Sequence, residues 1–311
     1  MHRPVLLAET VERLGVRPDG VYVDGTLGGG GHAEAVLAQL GGRGMLFGID
    51  RDVEALGRCQ ERLARFGGRF KALHGNYAQM DVLLAAEGVT AVDGVVLDFG
   101  VSSFQLDTPA RGFSFMTDGP LDMRMDQGQA LTAAGVVNTY PEQRLCDLFR
   151  AYGEEPSAWR IAQRIVARRL ERPFERTSEL AALIWEVKGG RRGRLHPATQ
   201  CFQALRMEVN RELDGVEQGL QAGLQLLRTG GRMAVISFHS LEDRCVKRFF
   251  SAHEGRWVSQ EAGGACWDGV LPAVERITRK AVQPGEAECL ENPRARSSRL
   301  RVVERVADVG L

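Results

Sequence analysis

Three aspartates, Asp24, Asp50 and Asp98, each close a short apolar run, and a glycine loop follows the first of them. Val21-Tyr22-Val23 ends on Asp24 and leads into Gly25-Thr26-Leu27-Gly28-Gly29-Gly30-Gly31-His32, a stretch where backbone can approach a ligand that side chains would obstruct. The glycines alone do not choose the ligand, because Gly28, Gly30 and Ala33 also fit the GxGxxA form of a dinucleotide fingerprint. Asp24 does discriminate. A negative charge just before the loop gains nothing from a pyrophosphate and attracts an ammonium, which favours S-adenosylmethionine over NAD. Asp50, about twenty residues past the loop, suits the two hydroxyls of a ribose in either cofactor. Tyr77, in His74-Gly75-Asn76-Tyr77, offers a face to adenine or packs in a core, and Asp98 adds a third carboxylate at the same sheet edge.

The elements that must position these groups alternate as in a parallel sheet covered by helices. Strands are expected at Val21–Val23, Gly44–Asp50, Arg69–His74 and Gly94–Asp98, with helices at Ala33–Leu40 and Val53–Phe66 between them. Late in the chain an apolar helix from Val216 to Leu227 is expected to break at Thr229-Gly230-Gly231, before strands at Arg232–Phe238 and Arg299–Arg305. From Gln105 to Asp126 the chain reads as a loop, and from Pro141 to Leu213 it has helical periods without a strand. Ser157 and Thr177 or Ser178 are candidate helix starts, Pro197 is placed in a first helical turn, and Arg160, Arg164 and Arg168 repeat on one face. The expected architecture is therefore an α/β, Rossmann-like class I methyltransferase sheet, residues 1–105 and 215–311, carrying an inserted all-α domain at 106–214.

Composition sets outer bounds. With Lys+Arg and Asp+Glu both at 40, any nucleic-acid footprint must be local. The six cysteines form no CxxC pair and no cluster with histidine, so no metal site is expected, and they suit reduced thiols in a cytoplasmic protein. Glu9, Glu12 and Arg13 interrupt the only N-terminal apolar stretch, so neither a signal peptide nor a membrane span is expected there.

Longer strings carry more information than the glycine motif. His2–Glu9 (HRPVLLAE), Asp24–His32 (DGTLGGGGH), Leu97–Leu106 (LDFGVSSFQL), Arg111–Asp126 (RGFSFMTDGPLDMRMD), His196–Leu205 (HPATQCFQAL), Ser237–Arg244 (SFHSLEDR) and Glu291–Ser298 (ENPRARSS) together resemble the bacterial RsmH (MraW) family, the small-subunit ribosomal RNA cytosine-N4 methyltransferases. The resemblance spans nearly the whole chain. It implies methyl transfer from S-adenosylmethionine to N4 of a cytidine in the decoding region (P site) of 16S ribosomal RNA, within the small subunit. It places cofactor contacts on Gly30, Gly31, His32, Asp50, Tyr77, Asp98 and Gln105, beside the Asp24 read from charge. The family often has Phe at the position of Tyr77, which keeps a stacking face, and Arg at that of Gly29, where this chain has no side chain.

Cytosine N4 is a poor nucleophile, its lone pair delocalised into the ring, so a site must offer acceptors to the amino hydrogens. Asp98 and the carbonyls of Phe99 and Gly100 are the candidates, and His239, after the Arg232–Phe238 strand, is a second candidate catalytic group or a loop anchor. The amino-group chemistry rests on the resemblance, because Asp98-Phe99-Gly100-Val101 is not the (Asp/Asn/Ser)-Pro-Pro-aromatic signature of DNA amino-methyltransferases. Phe99, Phe104 and Phe113 can stack an extruded base or pack under the insertion. Arg191, Arg192 and Arg194, the Arg160/Arg164/Arg168 stripe, and Arg294, Arg296 and Arg299 are candidate phosphate contacts. The competing readings are a NAD-dependent oxidoreductase, on Gly28, Gly30, Ala33 and Asp50, and a non-enzymatic ribosome-binding protein, against which the three carboxylates speak.

Overall fold

The computed structural model describes residues 4–190, 196–254, 256–259, 264–268 and 273–306. It separates into two compact units, Met1–Gly100 with Leu213–Leu311, and Val101–Glu212.

The first unit opens with α1 (Leu7–Leu14), β1 (Val21–Asp24), α2 (Gly31–Leu37), β2 (Met45–Asp50), α3 (Val53–Leu63), β3 (Phe70–His74), α4 (Met80–Ala86) and β4 (Val92–Asp98). Asp52 caps α3 by accepting the amides of Glu54 and Ala55. That helix stops before the expected Phe66, because the chain tightens into a 3-10 turn and Gly67 takes a φ of 60°. The helix after the glycine loop begins at Gly31, earlier than expected.

The second unit is helical: α5 (Ser103–Asp107), α6 (Ala133–Thr139), α7 (Glu142–Ala151), α8 (Ala158–Arg169), α9 (Thr177–Lys188) and α10 (Thr199–Asn210). Its core joins Leu145, Phe149, Ile161, Ile165, Phe174, Ile184, Phe202 and Leu205. The stretch expected to be an open loop contains α5 and a 3-10 turn at Pro109–Arg111, and the chain beyond that turn is locked by polar contacts. Asn210, 2% exposed, donates to the Met123 carbonyl at 2.8 Å and accepts the Met125 amide at 2.8 Å. Arg124 meets Asp122 with two nitrogens and Arg111 donates to the carbonyls of Arg124 and Met125. The GFSFMTDGPLDMRMD string is thus a polar lattice that holds Met123 at a φ of 63°. Ser157 precedes α8 without a capping bond; its own amide instead donates to Glu155. Pro197 lies ahead of α10, whose N-cap is Ala198.

The first unit resumes with α11 (Glu212–Leu226), β5 (Leu227–Ser237), α12 (Ser240–Glu254), a hairpin of β6 (Arg256–Ser259) and β7 (Ala265–Asp268), β8 (Val274–Arg276), α13 (Glu286–Glu291) and β9 (Arg299–Arg305). β5 starts before the expected break: Gly230 takes a φ of 77° and the register against β4 shifts between Val92 and Gly94, so the glycines make an irregularity inside a strand rather than end a helix. No pattern in the sequence announces β8 or the hairpin.

The seven-stranded sheet runs β3-β2-β1-β4-β5-β9-β8, parallel from β3 to β5 and antiparallel at β9. This order puts β1 between β2 and β4, where successive connections diverge, and open α/β sheets collect ligands at that point. Alternate strand residues feed two apolar layers. Val23, Ile49, Val95, Leu97 and Val235 pack with α4, α11 and α12, while Tyr22, Leu46, Val96, Ile236 and Leu300 pack with α1, α2 and α3. Asp243 at the start of α12 pairs with Arg299 at 2.9 Å and Arg301 at 2.8 Å, fastening that helix to β9. No helix among the described residues is long and apolar enough to cross a membrane.

Candidate active site

Asp24, Asp50 and Asp98 stand at the carboxyl ends of β1, β2 and β4, three adjacent strands, so the sheet register delivers them to one edge. The glycine loop is stitched between them. The Gly25 amide donates to Val96, the Leu27 amide to Ile49, and Thr26 Oγ1 accepts the Asp98 amide at 2.6 Å. Gly30 has a φ of 74°, which L side chains rarely adopt, and a Cβ on Gly31 would lie 2.0 Å from Pro4 Cγ. Gly29, by contrast, is exposed with open space around it, and its carbonyl accepts Arg62 Nη1 at 2.6 Å. An arginine from α3 therefore reaches the position where the resembling family carries one in the loop.

The carboxylates differ in what satisfies them. Asp50 accepts the Gly28 amide at 2.8 Å and the Asp52 amide at 2.9 Å, one on each oxygen, leaving a lone pair on each. Burial holds its carboxyl above the usual range. Asp24, 2% exposed, accepts the Thr26 amide at 3.1 Å, and burial pushes its carboxyl up to about 7. Asp98 Oδ1 is buried and has no hydrogen-bond partner among the described residues. Burial first, then the charges of Asp24 and Glu242, push the Asp98 carboxyl well above its ordinary value. Neither Asp24 nor Asp98 is paired with a lysine or arginine among the described residues. Buried carboxylates without a counter-charge are costly, so they fit an arriving cation.

His32 sits inside this cluster with its ring between two oxygens. Nε2 lies 3.1 Å from the Val5 carbonyl and Nδ1 3.6 Å from Asp98 Oδ2, while burial lowers the imidazole to about 4. Tyr77 follows β3 in a 3-10 turn capped by Asn76. Its ring lies 5.6 Å from that of Phe99, under the Arg51 guanidinium at 5.7 Å, and against Gly219, where a Cβ would come within 2.4 Å of it. The small residues on α11 thus make room for the ring, a relation that no local motif announces.

The other expected site residues are described by their local contacts. Gln105 is in the second unit, buried, and closes the capping box of α5 with Ser102. His239 precedes α12 with its ring turned to its own helix. Nδ1 accepts the Glu242 amide at 3.3 Å, and Nε2 lies 3.1 Å from Glu242 Oε1 without hydrogen-bond geometry. Glu242 returns the contact by accepting the Phe238 amide at 2.8 Å. Phe99 and Phe113 are buried in separate cores, leaving Phe104 the exposed member of that trio at 39%. Arg299 is spoken for by Asp243, and Arg191, Arg192 and Arg194 lie outside the described residues. Sequence reasoning missed Glu242, Thr26 and the N-terminal segment. The His239-to-Glu242 spacing, that of an N-cap and its third helical residue, was the available signal for the first.

The model of the MraW methylase family matches residues 1–306. Three curated relatives bear the name ribosomal RNA small subunit methyltransferase H. The protein of Geobacter sulfurreducens is 50% identical over 307 residues, 98% of this chain and 99% of that one. That of Thermomicrobium roseum is 46% identical over 309 residues, 99% and 95% of the two chains. That of Geobacter sp. strain M21 is 50% identical over 313 residues, 98% of each.

Proposed function

The chain belongs to the MraW methylase family and is an S-adenosylmethionine-dependent ribosomal RNA methyltransferase, and on that premise we propose that its target is the exocyclic N4 of a cytidine in the decoding region (P site) of the small-subunit RNA. The observation that carries the reading is the pair of buried carboxyls, Asp24 and Asp98, which have no cationic partner among the described residues, while one Asp98 oxygen has no hydrogen-bond partner among them.

The residues fit the cofactor. Asp24 would take the methionine ammonium, Asp50 the ribose hydroxyls through the lone pairs its two amides leave free, and Tyr77 the adenine. With the His32 ring already engaged, the loop contact falls to backbone at Gly30, Gly31 and His32. S-adenosylmethionine supplies an electrophilic methyl group when bound. The protein's work is then to hold the target amine in line and accept its hydrogens, and Asp98 Oδ1 is the acceptor at hand. His239 we assign to anchoring Glu242 and the start of α12, since both its ring nitrogens face that residue. A dinucleotide would set its pyrophosphate against Asp24, so NAD fits this loop poorly. We propose that the helical unit recognises the RNA.

The deciding experiment is mass spectrometry of ribosomal RNA from cells with and without this protein, followed by methyl transfer to purified small subunits. One methylcytidine is expected to disappear and to be restored in vitro. An unchanged modification profile would overturn the proposal, and equal activity on a short free oligonucleotide would overturn the requirement for the subunit.

Within the helical unit, α8 and α9 border a groove of about 610 Å³ lined by Arg160, Gln163, Arg164, Ala167, Glu186 and Val187. Arg160 is held there by the Val187 carbonyl, whereas Arg168 turns away to the Arg172 carbonyl and the Phe174 ring. We propose that Arg160 and Arg164 meet RNA phosphates. Their joint replacement by Ala should weaken subunit binding about tenfold and lower the slope of log K against log salt by about 1 to 2, with donor affinity unchanged. An unaltered salt slope in a filter-binding titration would remove this groove from the footprint.

A further inference from the structure

The His32 ring lies between two acceptors. The Val5 carbonyl can only accept, so Nε2, 3.1 Å away, carries a proton. On the other side Nδ1 is 3.6 Å from Asp98 Oδ2, longer than a hydrogen bond, as catalytic contacts often are before the reactants bind. That approach is attractive only with a proton between the two atoms, since otherwise a lone pair would face a carboxylate. Ring and carboxyl must therefore hold two protons together, as neutral acid with neutral imidazole or as carboxylate with imidazolium. Burial of both groups favours the neutral pair. The proton of Asp98 then sits on Oδ2, and Oδ1, the buried oxygen without a partner, keeps its lone pairs.

We infer that His32 is a positioning residue of the methyl transfer: it fixes the Asp98 proton on Oδ2 and receives that proton when Oδ1 takes one from the target amine. This rests on the function proposed above. The amine loses one hydrogen as its nitrogen gains a methyl group from the sulfonium donor. The N–H bond breaks and an Oδ1–H bond forms; the Oδ2–H bond breaks and an Nδ1–H bond forms; the positive charge brought by the sulfonium ends on the imidazolium, which keeps its Nε2–H bond to Val5. The charged groups that bear on Asp98 are Asp24 from β1 and Glu242 from α12, both carboxyls, so they disfavour a further negative charge there and hold a proton on the Asp98 carboxyl. Val5 is itself held. Pro4 packs on Gly31, and the Leu6 amide donates to Glu288 at 2.8 Å. The N-terminal string thus acquires a role, that of setting a tautomer.

Nitrogen-15 NMR of histidine-labelled, donor-free protein reads the tautomer directly. A neutral ring protonated on Nε2 at pH 7 is expected; a ring protonated on Nδ1, or an imidazolium, overturns the inference without any reference to activity. His32→Gln keeps a donor for Val5 and an acceptor for Oδ2 but no basic nitrogen. Its single-turnover rate at saturating donor should fall about 100-fold, with donor Kd moved less than about threefold. Its rate should also climb with pH, because only the ionised fraction of Asp98 can accept a proton once Oδ2 cannot pass its own on, whereas the unaltered protein should be flat over the same range. Parallel pH profiles, or a Kd that rises as much as the rate falls, would overturn it. Absence of methyl transfer by the unaltered protein would instead sink the proposed function and leave the tautomer result standing.

Discussion

Asp98→Asn is expected to lower the single-turnover methylation rate by about 10²–10⁴-fold, the usual worth of a positioned proton acceptor, while donor binding changes little. The reason for the second half is electrostatic. Burial, Asp24 and Glu242 push the Asp98 carboxyl well above its ordinary range, which favours its uncharged form in the donor-free protein. Asparagine matches that group in shape and charge but cannot take a proton. Stability should move the other way from rate. For an acid raised on folding, the unfolded chain ionises first as pH rises, and stability falls from the usual carboxylate range up to the folded pKa. Asparagine removes that loss, so the variant should melt at or above the temperature of the unaltered protein at pH 8. A variant with full turnover and weakened donor affinity would show that Asp98 binds the cofactor and accepts nothing from the base.

The carboxyl edge was legible because strand-ending aspartates obey a rule that needs no tertiary knowledge: an apolar run that stops at an acid beside a glycine loop puts that acid at the mouth of a parallel sheet. The surroundings of those acids were not. Glu242 reaches the cluster because β5 lies next to β4, and its spacing from His239 reads locally as a helix cap, which it also is. Val5 meets His32 across 27 residues, and Gly219 makes room for Tyr77 across a whole inserted unit. Neither contact leaves a local pattern. Gly230 misled for a related reason: a glycine pair after an apolar helix reads as a terminator, and only the partner strand shows that the chain continues through it as an irregularity. In the helical unit the periodicity anticipated α8, α9 and α10 but not α5 or α6, and the polar lattice around Asn210 and Arg124 depends on carbonyls that sequence does not display.

Asp24→Asn separates binding from folding most sharply, because the two should respond with opposite signs. Asparagine can keep the bond from the Thr26 amide while losing the charge. The shift of Asp24 from 3.8 to about 7 corresponds to a penalty on the order of 4 kcal/mol above pH 7, lost progressively as pH falls from there toward the unfolded value. The donor-free variant should therefore melt several degrees higher at pH 8, with the gain vanishing near pH 4. Donor affinity should drop about 10²–10³-fold, since a buried ammonium would lose its only fixed counter-charge in the loop. The unaltered protein should bind the donor more weakly as pH falls below about 7, by up to about tenfold per unit, because Asp24 must first give up its proton; the variant should be flat over that interval. Above about pH 8 the unaltered protein should bind more weakly again as the donor's own amine loses its charge. Calorimetric titrations from pH 5.5 to 8, set beside thermal melts of the same samples, test this. A variant that binds as well as the parent, or that gains no stability, would show that the charge of Asp24 is not what the donor is drawn to.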